Sequence, residues 1–437
     1  MARLRGVVLA DATRMSRWSL VLVLVGACTQ TDPSGGRGGG GGGKADDPNA
    51  ITQVTTAWEL TVGEAGDADV AHVMTLSDGN LLATSRFPRW VIRLSPSGQR
   101  NAPAVPDTVS PDDILYGMSY LRPTHEVWEV SANELVGDDG EGGLFELRGF
   151  TADGLPNPMF GKAGVVSLPG PTAAQDTVLS IDYDAMRERF VALVVRAWES
   201  TPQFSIGPSQ IEVLAFDAHT GVQSSAGTFD LPPWEGDNDP NGGQLYELIA
   251  QPDGSFLVVA KSTRYVQTEP GVTELPVSRW EVFHLVAGAA PTAITLTQSD
   301  YVAYPAAFTR LGNGHFELYL DGKTDYTSDT KQLVRFSLDD SLAPQAEVIG
   351  PALDFENGCA TAAASSSMFI YGHRIDPAKP IEFTAYPRGG EPYTFTSDKP
   401  QRCLVSLSFG TAGQLYAGTW DTTNSAWTAL LTTLVPQ

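Results

Sequence analysis

One short pattern recurs along this chain and limits what it can fold into: an apolar run, a tight turn closing on glycine, and a second apolar run. It stands at 76–86 (LSDGNLLATSR), 250–262 (AQPDGSFLVVAKS), 310–321 (RLGNGHFELYLD) and 409–421 (FGTAGQLYAGTWD), with Gly79, Gly254, Gly314 and Gly413 at the turns. Glycine suits these positions because hairpin turns of the primed types need positive φ at the second turn residue. The flanking residues alternate apolar and polar with period two, and turn signals come too often for long helices, so the pattern predicts short antiparallel strands. Asp253 is expected to hold a turn rather than perform chemistry, since Asn313 and Ala412 take its place in equivalent turns.

A second pattern follows the first at a regular distance. RWVIRLSPSG ends at Gly98, LFELRGFTADG at Gly154, IEVLAFDAHTG at Gly221 and RWEVFHLVAG at Gly288, with looser copies at 332–340 and 380–390. Together they mark about seven units of roughly 55 residues over 51–437. A unit of several strands has an apolar face that it cannot bury alone, so such units pack around an axis until the ring closes. The fold class expected is therefore all-β, a β-propeller of seven blades with mostly four antiparallel strands each. Two smaller β-domains are the alternative. The strand at 55–63 is placed to complete the last blade around 425–434, a closure that removes the sheet edges which invite aggregation.

Residues 144–166, LFELRGFTADGLPNPMFGKAGVV, resemble the delta-60 repeat, a propeller-type repeat of secreted and surface bacterial proteins. The likeness rests on the turn Asp153-Gly154 and the F-G-x-x-G element Phe160-Gly161-Lys162-Ala163-Gly164. Gln251-Pro252-Asp253-Gly254 resembles the other half of the repeat. The resemblance implies a diverged propeller and brings no catalytic residue with it.

The N-terminal stretch reads as an address. An apolar run from Leu20 to Val25 is too short to span a bilayer but suits the core of a secretion signal. Val25-Gly26-Ala27-Cys28 resembles a bacterial lipobox, in which the cysteine is lipidated and becomes the new N-terminus. The expectation is a signal peptide over 1–27, with Met15 as an alternative start, and acyl chains on Cys28 anchoring the chain to a membrane. Thr29 follows the cysteine where an Asp would signal inner-membrane retention, so the expected location is the outer membrane, on its periplasmic or cell-surface side. Residues 28–50 are glycine-rich and are expected to form a disordered tether. Within them Gly38 to Lys44 fits G-x-x-x-x-G-K, but Ala45 replaces the Ser or Thr of a phosphate loop and no strand precedes it.

Charge narrows the partners. The formal net charge is −23, from 51 acidic and 28 basic residues. Nucleic acid is excluded as a partner, because phosphate binding depends on Lys and Arg. Hydrophobic content of 42% is that of a globular chain. A monomer is expected.

Chemistry-bearing motifs are sparse. His72, His125, His219, His284, His315 and His373 show no metal-binding spacing, and no G-x-S-x-G nucleophile elbow occurs. AFDAHTG at 215–221 is similar to the core of quinoprotein propeller repeats but lacks their continuation, so Asp217 and Thr220 are assigned to a local turn. In the loop at 234–247, Asp237, Asp239 and Asn241 with Gly242 fit the opening of a calcium loop, and Glu247 stands one place before the expected twelfth-position ligand. The segment is expected to be a polar loop between blades, with a calcium site as the alternative, and no other cofactor is expected. GDDGEGG at 137–143 is assigned to a solvated hairpin tip. Cys359 and Cys403 form an even pair in the oxidising compartment that the export signal implies, and a disulfide between them, with two buried thiols as the alternative, would stabilise by roughly 4 kcal/mol.

With no catalytic or cofactor-binding residue identified, the expected role is non-enzymatic. The chain would be a lipid-anchored scaffold binding a protein or a glycan. The alternative is an extracytoplasmic enzyme, glycan-acting or metal-dependent, with its site in the central channel; clustered carboxylates there would favour it.

Overall fold

The computed structural model describes the strands named below and the connections at 156–164, 185–188, 218–222, 231–232, 251–255, 286–291, 296–297, 313–314, 339–343, 365–367 and 388–392, with single positions such as Ser95, Trp234 and Leu353. Residues 1–52 and the remaining connections lie outside the described residues, and with them Cys28, Cys359, Asp237, Asp239 and Asn241. The described residues contain strands and turns and no helix.

Strand β1 (Gln53–Thr61) stands apart from the meander that follows it, β2 (Val70–Thr75), β3 (Leu81–Arg86) and β4 (Arg89–Leu94). The second meander is β5 (Leu115–Leu121), β6 (Val127–Asn133), β7 (Leu144–Phe150) and β8 (Val165–Ser167). The third is β9 (Thr177–Asp184), β10 (Arg189–Ser200), β11 (Ser205–Asp217) and β12 (Gln223–Asp230). The fourth is β13 (Gly243–Ala250), β14 (Phe256–Val266), β15 (Leu275–Leu285) and β16 (Thr292–Thr295). The fifth is β17 (Val302–Gly312), β18 (His315–Lys323), β19 (Lys331–Leu338) and β20 (Pro344–Pro351). The sixth is β21 (Ala360–Ala364), β22 (Met368–His373), β23 (Pro380–Pro387) and β24 (Tyr393–Pro400). The last is β25 (Arg402–Phe409), β26 (Leu415–Asp421) and β27 (Thr428–Pro436).

Closure is made by β1. It pairs antiparallel with β27 from Val54↔Pro436 to Thr61↔Leu430, completing the last meander as its fourth strand. It also touches β24 in parallel at Gln53↔Thr396 and Val54↔Ser397. Unpaired backbone at the edges of two sheets is thereby satisfied by one strand from the other end of the sequence. The first strands of successive meanders pack on one another, β5 on β9, β9 on β13, β17 on β21 and β21 on β25, and so form the inner ring of a propeller.

The core lies between sheets rather than within them. Phe256, Val258 and Ala260 of β14 pack with Val191, Leu193 and Val213 of the third meander. Leu257 and Val259, pointing the other way, pack with Phe316, Leu318 and Val334 of the fifth. Successive strand residues face opposite sides, so a middle strand buried between two sheets must be apolar on both. This corrects the sequence expectation of simple alternation, which holds where one face meets solvent. The outer strands β12 and β20 are mostly exposed, whereas β13 is buried almost throughout.

The turns divide into two kinds. At Asn313-Gly314 both residues have positive φ, +50° and +80°, in the two-residue hairpin expected from the sequence. The connection at 251–255 is longer than a primed hairpin: Gly254 N–H donates to Gln251 O at 3.0 Å, and Gln251 N–H to Ser255 O at 3.0 Å. The F-G-x-x-G element acts as an inter-blade plug. Phe160 is fully buried against Phe190 and Phe216 of the third meander, and Gly161, at φ +55°, donates its N–H to Thr220 O at 2.9 Å. A Cβ on Gly161 would stand 2.2 Å from Val165 O, so no other residue fits there.

Candidate functional site

Three groups of polar residues emerge from this frame, and the first is structural. The Asp253 carboxylate accepts from Ser255 N at 2.9 Å and Ser255 Oγ at 2.7 Å. Asp217 does the same with Thr220 N and Oγ1, and Asp339 with Ser341 N and Oγ. Hydroxyl and backbone donors stabilise the ionised forms, so all three carboxyls are held below the ordinary aspartate range. These are turn-holding side chains, as the sequence suggests for Asp253, Asp217 and Thr220.

The second group lies on the inner ring. Ser180 and Asp182 of β9, Glu247 of β13 and Arg310 of β17 meet, although they come from three meanders. Arg310 Nη2 stands 2.5 Å from Glu247 Oε2, and Nε stands 3.5 Å from Asp182 Oδ1. The same Nη2 lies 3.0 Å from Ile181 O and 3.2 Å from Leu248 O. Ser180 Oγ donates to Glu247 at 3.0 Å and accepts from Leu248 N at 3.0 Å, while Ala250 N donates to Asp182 Oδ2 at 2.7 Å. Burial raises both carboxyls above their ordinary values, against the pull of the Arg310 guanidinium. Chemically the arrangement is two carboxylates sharing one cation in a poorly hydrated place, with a hydroxyl beside them.

The third group lines a pocket of about 230 Å³ at the seam of the fifth and sixth meanders. Its walls come from Tyr319 of β18, Arg335 of β19, Glu347 of β20, Tyr386 of β23 and Arg388 of the following turn, with Met368 and Pro387 as apolar wall. Beside it the buried Glu317 accepts from Tyr319 Oη at 2.7 Å on Oε2, and on Oε1 from Arg388, with Arg335 Nη1 at 3.6 Å. Burial pushes the Tyr319 phenol up, reinforced by Glu317, and burial likewise raises Tyr386. Both phenols therefore remain protonated donors at neutral pH.

The sequence-derived candidates fall differently. Glu247, read as a calcium-loop ligand, has its carboxylate on Arg310 and Ser180, and its companions Asp237, Asp239 and Asn241 lie outside the described residues. Cys403 lies on β25 with its backbone paired to Trp420, and Cys359 is outside the described residues. His284 Nε2 is 2.9 Å from Ser255 Oγ, and His373 stacks on Tyr371. Among the described residues no group of three or more His, Cys, Asp or Glu is placed to hold a metal ion. Sequence reasoning missed the inner-ring cluster and the seam pocket. A signal existed: Ser180, Asp182 and Asp184, and likewise Glu317, Tyr319 and Asp321, place a polar residue at every second position of otherwise apolar strands.

No protein-family model and no curated protein matches the sequence. Solved structures do match in shape. The chain is similar to an ulvan lyase of polysaccharide lyase family PL25, at 10% identity and a TM-score of 0.50, over 85% of this chain and 95% of that one. A streptogramin B lyase matches at 10% identity and 0.47, over 87% and 96%, and the β-propeller domain of the Trilobed protease from Pyrococcus furiosus at 9% and 0.46, over 84% and 95%. At such identities what is shared is the β-propeller fold.

Proposed function

We propose that this protein is a lipid-anchored extracytoplasmic β-propeller, counted at seven blades, that serves as a binding scaffold for a protein or a glycan. The observation that supports it is the seam pocket, where guanidiniums, phenols and apolar wall from two blades converge on one opening. Pockets of mixed apolar and convergent polar lining are where ligands bind. The full chain, immobilised from detergent, is expected to retain surface protein or glycan, and to lose it when Arg388→Ala is introduced. Equal retention by both chains would sink the pocket as the binding place. The anchor is tested separately: Cys28→Ala should move the protein from the membrane to the soluble fraction and abolish acyl labelling.

A second reading, an extracytoplasmic enzyme with its site in the central channel, is favoured by one observation, the raised carboxyls of Asp182 and Glu247 on the inner ring. Its test is polysaccharide cleavage by the wild-type chain that Glu247→Gln removes.

A further inference from the structure

Resting on the binding reading above, we infer that the seam pocket takes the carboxylate of a single acidic pyranose unit, a hexuronate, and that Glu347 occupies the carboxylate's place when the pocket is empty. In a chain of net charge −23, two guanidiniums converge at one opening. They do so because both reach the same oxygen of the buried Glu317, Arg388 by a direct hydrogen bond and Arg335 at 3.6 Å. Tyr319 donates to the other oxygen, so both oxygens of Glu317 are engaged within the wall and the carboxylate holds the two cations side by side.

Glu317 balances only one of the two positive charges. The second is met by Glu347, whose carboxylate pairs with Arg335 from a side chain that is 60% exposed. An exposed pair of this kind contributes little and exchanges readily with solvent. A carboxylate arriving from outside can therefore replace Glu347 on Arg335 and reach Arg388, whose side chain is 43% exposed, using the planar donor edges for which guanidinium is suited.

The rest of the ligand follows from volume and wall. A space of about 230 Å³, just under the range usual for drug-sized ligands, has room for one six-membered ring with its substituents. Met368 and Pro387 offer apolar surface to the ring's C–H face. Gly389 and Gly390 leave one side of the mouth without side chains, so that a glycan bearing the ring can continue outward. The aliphatic acid of a peptide would use the cations and leave that wall uncovered.

The test is calorimetric titration of the full chain in detergent at pH 7 with D-glucuronate, D-glucose and acetate. Glucuronate is expected to bind at least about tenfold more tightly than glucose or acetate, the difference of one charge-assisted contact or one buried face. Arg388→Ala should weaken glucuronate by about tenfold. Glu347→Gln removes the occupant and should tighten it about two- to fivefold, a gain that a merely structural side chain would not produce. Glucuronate binding no better than glucose, or Glu347→Gln leaving affinity unchanged or lower, overturns the inference. Retention of surface material that glucuronate fails to compete removes this ligand class and leaves the scaffold reading intact. Glucuronate binding without any retained glycan or protein does the reverse.

Discussion

Arg310 Nη2 lies 2.5 Å from Glu247 Oε2, an ion pair that joins the inner strands of two neighbouring blades and draws in Asp182 from a third. The side chains are 10% and 6% exposed, so neither charge is hydrated enough to stand alone. Arg310→Met should therefore leave two buried carboxylates without their cation and cost about 3–5 kcal/mol. Urea unfolding measures this, and Glu247→Gln in the same chain should recover part of the loss. A change below about 0.5 kcal/mol would show that the cluster is well solvated in solution.

The same cluster sets a pH dependence. Burial raises the carboxyls of Asp182 and Glu247, so over a window above the ordinary carboxylate range the folded chain holds protons that the unfolded chain has released. Stability from these groups is present at low pH and falls as pH rises through their folded values. Asp182→Asn removes one such group while keeping an acceptor for Ala250 N. Relative to wild type it is expected to gain more Tm at pH 8 than at pH 4, at about 1 °C per kcal/mol for a domain of this size. An equal difference at both pH values would contradict the direction of the shift.

Asp253 supplies a contrast between turn and chemistry. Asp253→Ala loses the acceptor for Ser255 N and Oγ and should cost about 1 kcal/mol. Asp253→Asn keeps an acceptor and should be close to neutral. Its main-chain oxygen accepts from Arg187 Nη2 of the preceding blade at 3.0 Å, a contact that both variants retain. Melting curves of the two variants, compared with any activity or binding, separate the roles.

The closing strand can be removed. Deleting 53–61 strips β27 of its antiparallel partner and β24 of its short parallel contact. The expected outcome is a large fall in Tm together with self-association through the exposed edges, read by sedimentation. A monomer of unchanged stability would mean that the ring does not depend on β1.

Much of this was legible in order along the chain. Gly254 and Asn313-Gly314 announce turns because a backbone conformation is a local property, and the run FLVVA at 256–260 announces a strand, though its burial on both faces became visible only in the structure. The closing strand was legible too: a strand at 55–63, ahead of the first D-G hairpin, was expected to complete the last blade around 425–434, and the structure pairs 53–61 with 428–436. Glu247 was legible only as the end of an acidic loop, which pointed to a cation from outside; the structure gives it a cation from its own chain. Glu317 stood out only as one of the polar residues at every second position of β18, with nothing to mark its partners, yet it organises the seam.

The sequence by itself determined the strands, their turns and the repeat that makes them blades, because alternation and turn chemistry act over a few residues. Tertiary structure alone decided that Ser180 and Arg310 meet at Glu247 across 67 and 63 residues, and that Glu317 gathers Arg388 across 71. Such meetings depend on how each sheet is set against the next around the ring, and that angle is fixed by the packing of the apolar faces between blades, which no local pattern records.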